Sequence, residues 1–355
     1  MTSIDRVYDR QKLALLPFSD VYSESVLFDE ISKMGKEEKN DFHTFLMVNN
    51  LGPSWLENLG HTTLETIWLT EKVKIFQDEY RNVAMRYLQQ MAAIQSITSL
   101  LESNSIHNAF FKGVQTRELV YQKPATRSSC DIDLLIEEKD KTKAIDLLTM
   151  EGYELHALAE NLTHEVSLSK NNVSIDLHWH ILRPGRVPKS FTAIVLKNRI
   201  KRNGYWSLRN EDNLFILLTH PVFSKYSIIT QSRLDLILDL VYWIKRQNVD
   251  WDYVLGLLSK TGLRTAAWIM LKYLHIFTGS STAEEMMRDI TPNSLKKWYL
   301  QKWIDSNLPA RYQEKPFLVK ACFTLFAHDS FLHAFRFLQV LFMDRLKQRN
   351  AWLLK

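Results

Sequence analysis

A chain of 355 residues that is 46% hydrophobic and 24% charged has room for two or three modest domains and a sizeable core, and its composition argues against a disordered, collagenous or fibrous protein. The formal net charge of +5 is mildly basic: it suits a partner carrying phosphate and is too weak a bias to establish nucleic-acid binding, a partnership that stays open but is not favoured. The two cysteines, Cys130 and Cys322, are far apart and form no CxxC pair, which argues against a disulfide framework or a cysteine-based zinc site and fits a reducing cytoplasm.

The chain opens on Met-Thr-Ser-Ile-Asp-Arg, mixed polar sequence without the apolar run of a signal peptide. Residues 1–105 read as a helical region. Asn40 to Leu59 predicts a helix, a turn at Gly52-Pro53 and a second short helix. Asn82 to Leu101 places Val83, Met85, Leu88, Met91, Ile94, Ile97 and Leu101 at a helical period.

The pattern changes at Ile106. His107 to Lys112 is short, apolar and aromatic, like a strand; Gly113 ends it, Val114 to Tyr121 can form a helix, and Pro124 breaks that helix. Asp131 to Ile136 reads as a strand, and Lys139 to Met150 as a helix closed by Gly152. Thr163 to Ser169 and Val173 to His180 are two further strands. Lys170-Asn171-Asn172 between them is a hairpin signal, because asparagine tolerates the positive φ of tight turns.

Helices return from Asp212: Arg233 to Arg246, Trp251 to Leu258, and Arg264 to Phe277 stopped by Gly279, then helical sequence broken at Pro292, Pro309 and Pro316. Phe331 to Met343 falls short of the roughly 20 apolar residues that span a bilayer and is interrupted by His333, Arg336 and Gln339. The aromatic stretch Phe323 to Phe342 reads as a buried helix pair, with a partner interface as the other reading. The expected fold is α+β: an N-terminal helical region (1–105), an α/β core with a small mixed sheet (106–205) and a C-terminal helical domain (206–355).

The chemistry concentrates in that core. Alternate side chains of a strand share a face, so Asp131 and Asp133 project together while Ile132, Leu134 and Ile136 enter a core. Two carboxylates so placed repel, and a divalent cation would relieve the repulsion. Asp176 stands mid-strand between Val173, Ile175 and Leu177, on the face it shares with Ser174 and His178. If the two strands are neighbours, three carboxylates converge and can hold two magnesium ions around a nucleoside triphosphate. On the other reading the acids line the solvated face of an amphipathic sheet.

Lys112-Gly113 closes a strand where backbone can approach a phosphate and a lysine can add charge, or is a plain strand-to-helix turn. Arg127 can clamp a phosphate through two nitrogens, or be a solvated loop arginine. His178 can hydrogen-bond a metal-bound acid or a phosphate, or be a satisfied, partly buried histidine. His180, near the strand end, and Trp179 read as structural. A two-residue turn at Asn171-Asn172 pairs Ser167 with Asp176 and Glu165 with His178, and sends His164 to the apolar face beside Trp179. Arg233, Asp235, Asp239 and Trp243 share a helix and read as a solvated or structural salt-bridge group.

Phe111-Lys112-Gly113, Tyr121, Arg127 and Asp131-Ile132-Asp133-Leu134-Leu135-Ile136 resemble the bacterial "uncharacterised nucleotidyltransferase" family. So do Ala144, Leu147-Leu148, Gly152-Tyr153, His164 and Ile175-Asp176-Leu177-His178-Trp179. That family lies within the DNA polymerase β-like nucleotidyltransferase superfamily, and the resemblance extends over roughly residues 40 to 280. It implies Asp131, Asp133 and Asp176 as catalytic metal ligands, with Mg²⁺ (two ions) as cofactor and a nucleoside triphosphate, ATP or another, as co-substrate. Lys112-Gly113 stands where the superfamily has a Gly-Ser turn, so triphosphate binding falls to Lys112, the backbone at Gly113 and Arg127, with His178 added from its place on the Asp176 face.

The leading expectation is therefore transfer of a nucleoside monophosphate to a hydroxyl on a small molecule, peptide or protein. Nucleotide addition to an RNA end, as in toxin-type relatives, is an alternative that the absence of a dense Lys/Arg run disfavours. A non-catalytic scaffold on the same fold is another, disfavoured by retention of all three acids.

Overall fold

The computed structural model describes residues 3–156, 164–182, 184–185, 190–223, 233–305, 316–336 and 338–339. Its centre is a seven-stranded mixed sheet: β1 (Asn108–Phe110), β2 (Asp131–Ile136), β3 (Glu154–His156), β4 (Glu165–Lys170), β5 (Val173–His178), β6 (Ile200–Arg202) and β7 (Tyr205–Ser207). The strands lie in the order β3-β4-β5-β2-β1-β7-β6. β2 runs parallel to β5 and β1 parallel to β7; the other pairings are antiparallel. Helices flank this sheet in sequence on both sides, as the α+β reading requires.

Alternation in the strands sorts the sheet's two faces. Ile132, Leu134 and Ile136 of β2, Ile175 and Leu177 of β5, and Val166 and Leu168 of β4 form one buried cluster with Ile94, Ile97 and Leu101 of the long helix Thr70–Ser103 and with Ala144 and Leu148 of the helix Lys141–Met150. Leu135, with Ala109 and Phe111, instead joins a larger core formed mostly by the N- and C-terminal helices. The face bearing Asp131 and Asp133 therefore looks toward the helical part of the molecule.

The long helix begins twelve residues before the predicted Asn82. Its first turns bury Val73 and Phe76 in the larger core and its last turns meet the sheet, so one helix serves two cores. The predicted turn at Gly52-Pro53 starts the helix Gly52–Ile67, which is kinked at Gly60.

The β4–β5 hairpin follows the sequence reading. Asn171 and Asn172 take φ values of 48° and 66°, Lys170 pairs with Val173, Ser167 with Asp176 and Glu165 with His178. The same chemistry makes the β6–β7 hairpin, turned by Asn203 and Gly204 at φ 47° and 86°; the sequence reading passed over it. Gly152, at φ 86°, closes its helix as expected.

In the C-terminal region the helices Asp235–Arg246, Trp251–Thr261 and Arg264–Thr278 match their predictions, with Gly279 in the left-handed conformation as the stop. Pro292 separates two helices and Pro316 caps the helix Phe317–Ala327. Pro309, Thr163 and the end of the aromatic stretch lie outside the described residues. Phe323 is buried against Trp303, whereas Phe331, Leu332 and Phe335 are about half exposed, so among the described residues the aromatic stretch mixes buried and exposed side chains. No described helix is long and apolar enough to cross a membrane.

Candidate active site

The parallel register of β2 and β5 sets Asp133 directly opposite Asp176 and Asp131 opposite Ser174. On the other side of β5, β4 sets Ser167 opposite Asp176 and Glu165 opposite His178. Period-two alternation puts all of these on one face. Ser167 Oγ donates to Asp176 Oδ1 at 2.6 Å. Asp133 Oδ1 lies 2.9 Å from His178 Nε2 and accepts from Lys112 Nζ at 2.8 Å.

Lys112 reaches the site because of its backbone. It follows β1 and precedes the helix Gly113–Val120, at φ 50° and ψ −121°. That conformation costs a non-glycine residue on the order of 1–3 kcal/mol and persists only where the surroundings fix it. Here the Lys112 N–H donates to Asn213 Oδ1 at 2.9 Å. Gly113 follows because nothing larger fits: a Cβ would lie 2.7 Å from Ser129 Oγ and 3.0 Å from Arg127 Nη1.

Electrostatics divide the acids. Burial and the charges of Asp133 and Asp176 push Asp131 up from about 3.8 to about 6. Asp133 is held well below the usual range: burial opposes its ionisation, but Lys112 and His178 outweigh it. Burial would lower Lys112, yet the charge and hydrogen bond of Asp133, with Glu165 and Asp131, leave it raised.

Asp133, Asp176 and His178 each offer a donor atom within 4.8 Å of the others, a group able to hold a metal ion. Oxygen and imidazole nitrogen donors suit a divalent cation, so the residues fit a metal of the expected charge. The membership differs from the expected three aspartates. Asp131 lies one step along β2 on one side of the Asp133–Asp176 row and His178 one step along β5 on the other, and it is His178 whose side chain reaches Asp133.

Arg127 is neither a free clamp nor a solvated loop residue. It is buried, and its Nε and Nη2 donate to Asp239 Oδ1 and Oδ2 at 3.1 and 2.7 Å while Nη1 donates to the Ser128 carbonyl. Tyr121 Oη donates to the same Asp239 at 2.8 Å, so the structural reading of the Asp239 helix holds. His164 is not beside the apolar face. It precedes β4 in a turn, where strand alternation does not apply, and its Nε2 lies 3.4 Å from Glu165 with its ring 6.4 Å from that of His178. His180 stands apart, 3.6 Å from Glu138. Trp179 is buried under Lys141.

Sequence reasoning missed four neighbours. Glu165 and Ser167 were placed by the predicted hairpin register, which could have nominated them. Asn213 and His220 come from the helix Asn210–Phe223, far along the chain. His220 feels Lys112, Asp133, His178 and His164, and burial first, then Lys112, lowers its pKa well below the usual histidine value.

The raised Asp131 gives a pH prediction for the metal-free chain. Its folded form holds a proton more tightly than its unfolded form, so the stability this contributes is full below about 3.8 and lost as pH rises through about 6. Asp131→Asn stays neutral. Allowing for the residual exposure of this carboxylate, the variant should be more stable than the parent by about 1–2 kcal/mol at pH 8, the gap closing toward pH 4. Thermal melts in chelator across that range test it; an equal or lower melting temperature for the variant at pH 8 would contradict it.

The sequence model of the uncharacterised nucleotidyltransferase family matches residues 36–279, and the chain belongs to that family. A search of curated proteins returns no match.

Proposed function

We propose that this nucleotidyltransferase family member moves a nucleoside monophosphate from a nucleoside triphosphate to a hydroxyl group on a small molecule, peptide or protein, with divalent cations bound at the β2–β5 face. The observation that carries the reading is the convergence of Asp133, Asp176 and His178 on that face, with Asp131 beside them and Lys112 entering from a strained turn.

In this reading residues 106–205 form the catalytic core. Asp133 is the central ligand, and Asp131 and Asp176 flank it, so that two cations, Mg²⁺ by resemblance, find ligands along one face. When bound, the cations supply charge neutralisation at the transferring phosphoryl group and make the attacking hydroxyl easier to deprotonate. Asp176 orients the acceptor hydroxyl, which Ser167 supports by fixing one carboxylate oxygen. The acceptor oxygen forms its bond to the α-phosphorus as the bond to the β-phosphate oxygen breaks; pyrophosphate leaves and the hydroxyl proton passes to solvent. Lys112 exchanges its pairing with Asp133 for the triphosphate, a point charge where the superfamily has a serine. Gly113 lets backbone N–H groups approach the same phosphates. Arg127, filled by Asp239, holds the loop before β2 in position.

Equilibrium binding of each nucleoside triphosphate, with and without Mg²⁺ or Mn²⁺, tests this. At least one nucleotide should bind at least about tenfold more tightly with the metal, since a bound cation would offset the repulsion between these carboxylates and the phosphates. Absence of metal-linked binding for all nucleotides would remove the reading.

A further inference from the structure

His178 is held on three sides. Its ring is 98% buried and meets Phe111 edge-on at 5.2 Å. Nε2 faces Asp133 Oδ1 at 2.9 Å, and Nδ1 stands 3.0 Å from Glu165 Oε2, without the alignment of a hydrogen bond in this conformation. Glu165 is itself steadied, since its other oxygen lies 3.4 Å from His164 Nε2. The result is a line of carboxylate, imidazole and carboxylate across β4, β5 and β2, ending beside Asp176. A core histidine needs one acceptor. A histidine backed by a carboxylate at one nitrogen and aimed at two acids with the other has the arrangement of a metal ligand and its support.

We infer that His178 is a nitrogen ligand of the metal site, that Glu165 is the residue that positions it, and that the mixed oxygen and nitrogen donor set favours Mn²⁺ over Mg²⁺. The inference rests on the metal-dependent reading above and adds to it a ligand and a metal preference. A carboxylate at Nδ1 favours the tautomer with the hydrogen on that nitrogen, whose Nε2 lone pair faces the cation. Magnesium prefers an all-oxygen shell rich in water, whereas imidazole suits the transition metals.

The test uses the full chain, stripped of metal and reloaded with Mn²⁺. Electron spin-echo modulation should report a directly bound ¹⁴N, and labelling all histidines with ¹⁵N should convert that signal. This measurement needs no substitution and stands even if a variant fails to fold. His178→Gln should lose the signal and bind Mn²⁺ about 10–100-fold more weakly, with a smaller preference for Mn²⁺ over Mg²⁺. Glu165→Gln should keep the nitrogen signal and the parental melting temperature but bind Mn²⁺ about tenfold more weakly. Mn²⁺ bound with no histidine nitrogen coupling would overturn the inference and leave the carboxylate-based reading standing. Parental Mn²⁺ affinity in Glu165→Gln would overturn the positioning role. A parent chain that binds neither metal, with nucleotide present, would overturn both the inference and the reading it rests on.

Discussion

Asp133→Asn is expected to lower nucleotidyl transfer by about 10²–10³-fold or more, the scale of losing a fixed electrostatic contact to the transition state. Asp133 is where the site's charges meet: Lys112 and His178 both approach its Oδ1, and Asp176 faces it across the strands. The amide keeps the shape but removes the charge that would hold a cation. It also leaves the ammonium of Lys112, only 16% exposed, without its ion-pair partner, so this variant should melt at a lower temperature as well. A site in an open polar cleft would have shown no such cost. Asp176→Asn separates the two effects. Its amide oxygen can still accept from Ser167 Oγ, so the melting temperature should hold while the single-turnover rate falls by a similar factor. Parental transfer rates in either variant would count against the assigned roles.

Asp239→Ala is expected to cost about 3–5 kcal/mol in stability, the range for removing one partner of a buried ion pair. Its carboxylate is fully buried and accepts from two Arg127 nitrogens and from Tyr121 Oη. The substitution leaves a guanidinium in the interior with its principal acceptor gone. Replacing both partners with apolar residues, as in Arg127→Met with Asp239→Leu, should recover much of the loss, because the desolvation cost of the charges goes with them. Urea unfolding of the three proteins measures this. If Asp239→Ala unfolds at the parental midpoint, the pair does not join the loop before β2 to the C-terminal helices, and Arg127 regains its claim on phosphate.

The contrast between these two groups shows what the sequence could and could not convey. Asp131, Asp133, Asp176 and His178 were readable because a strand's period fixes the face of every second residue, and the Asn171-Asn172 turn fixed the register that brought Glu165 and Ser167 beside them. Arg127 and Asp239 are 112 residues apart. Each looked ordinary alone, and only the packing of a distant helix makes them partners. Asn213 and His220 escaped for the same reason. That His178 joins Asp133 and Asp176 while Asp131 does not is a matter of side-chain reach: both stand one step from the Asp133–Asp176 row, on opposite sides, and the imidazole of His178 extends to Asp133 Oδ1. β3, β6 and β7 are three residues each, too short to establish a period, although Asn203-Gly204 was a legible turn. The C-terminal aromatic stretch gave composition without a pattern that separates Phe323, which is buried, from Phe331, which is not.

The most direct test of the central claim is incubation of the chain with nucleoside triphosphates labelled separately at the α- and γ-phosphates, with Mg²⁺ or Mn²⁺ and a cell extract as acceptor source. Transfer of the α-label alone, with release of labelled pyrophosphate from the γ-labelled substrate and loss of both in Asp176→Asn, is the predicted result. Transfer of the γ-label would make the chain a phosphotransferase. No transfer of either label, from a folded chain, would contradict the enzyme account and favour a scaffold built on the same fold.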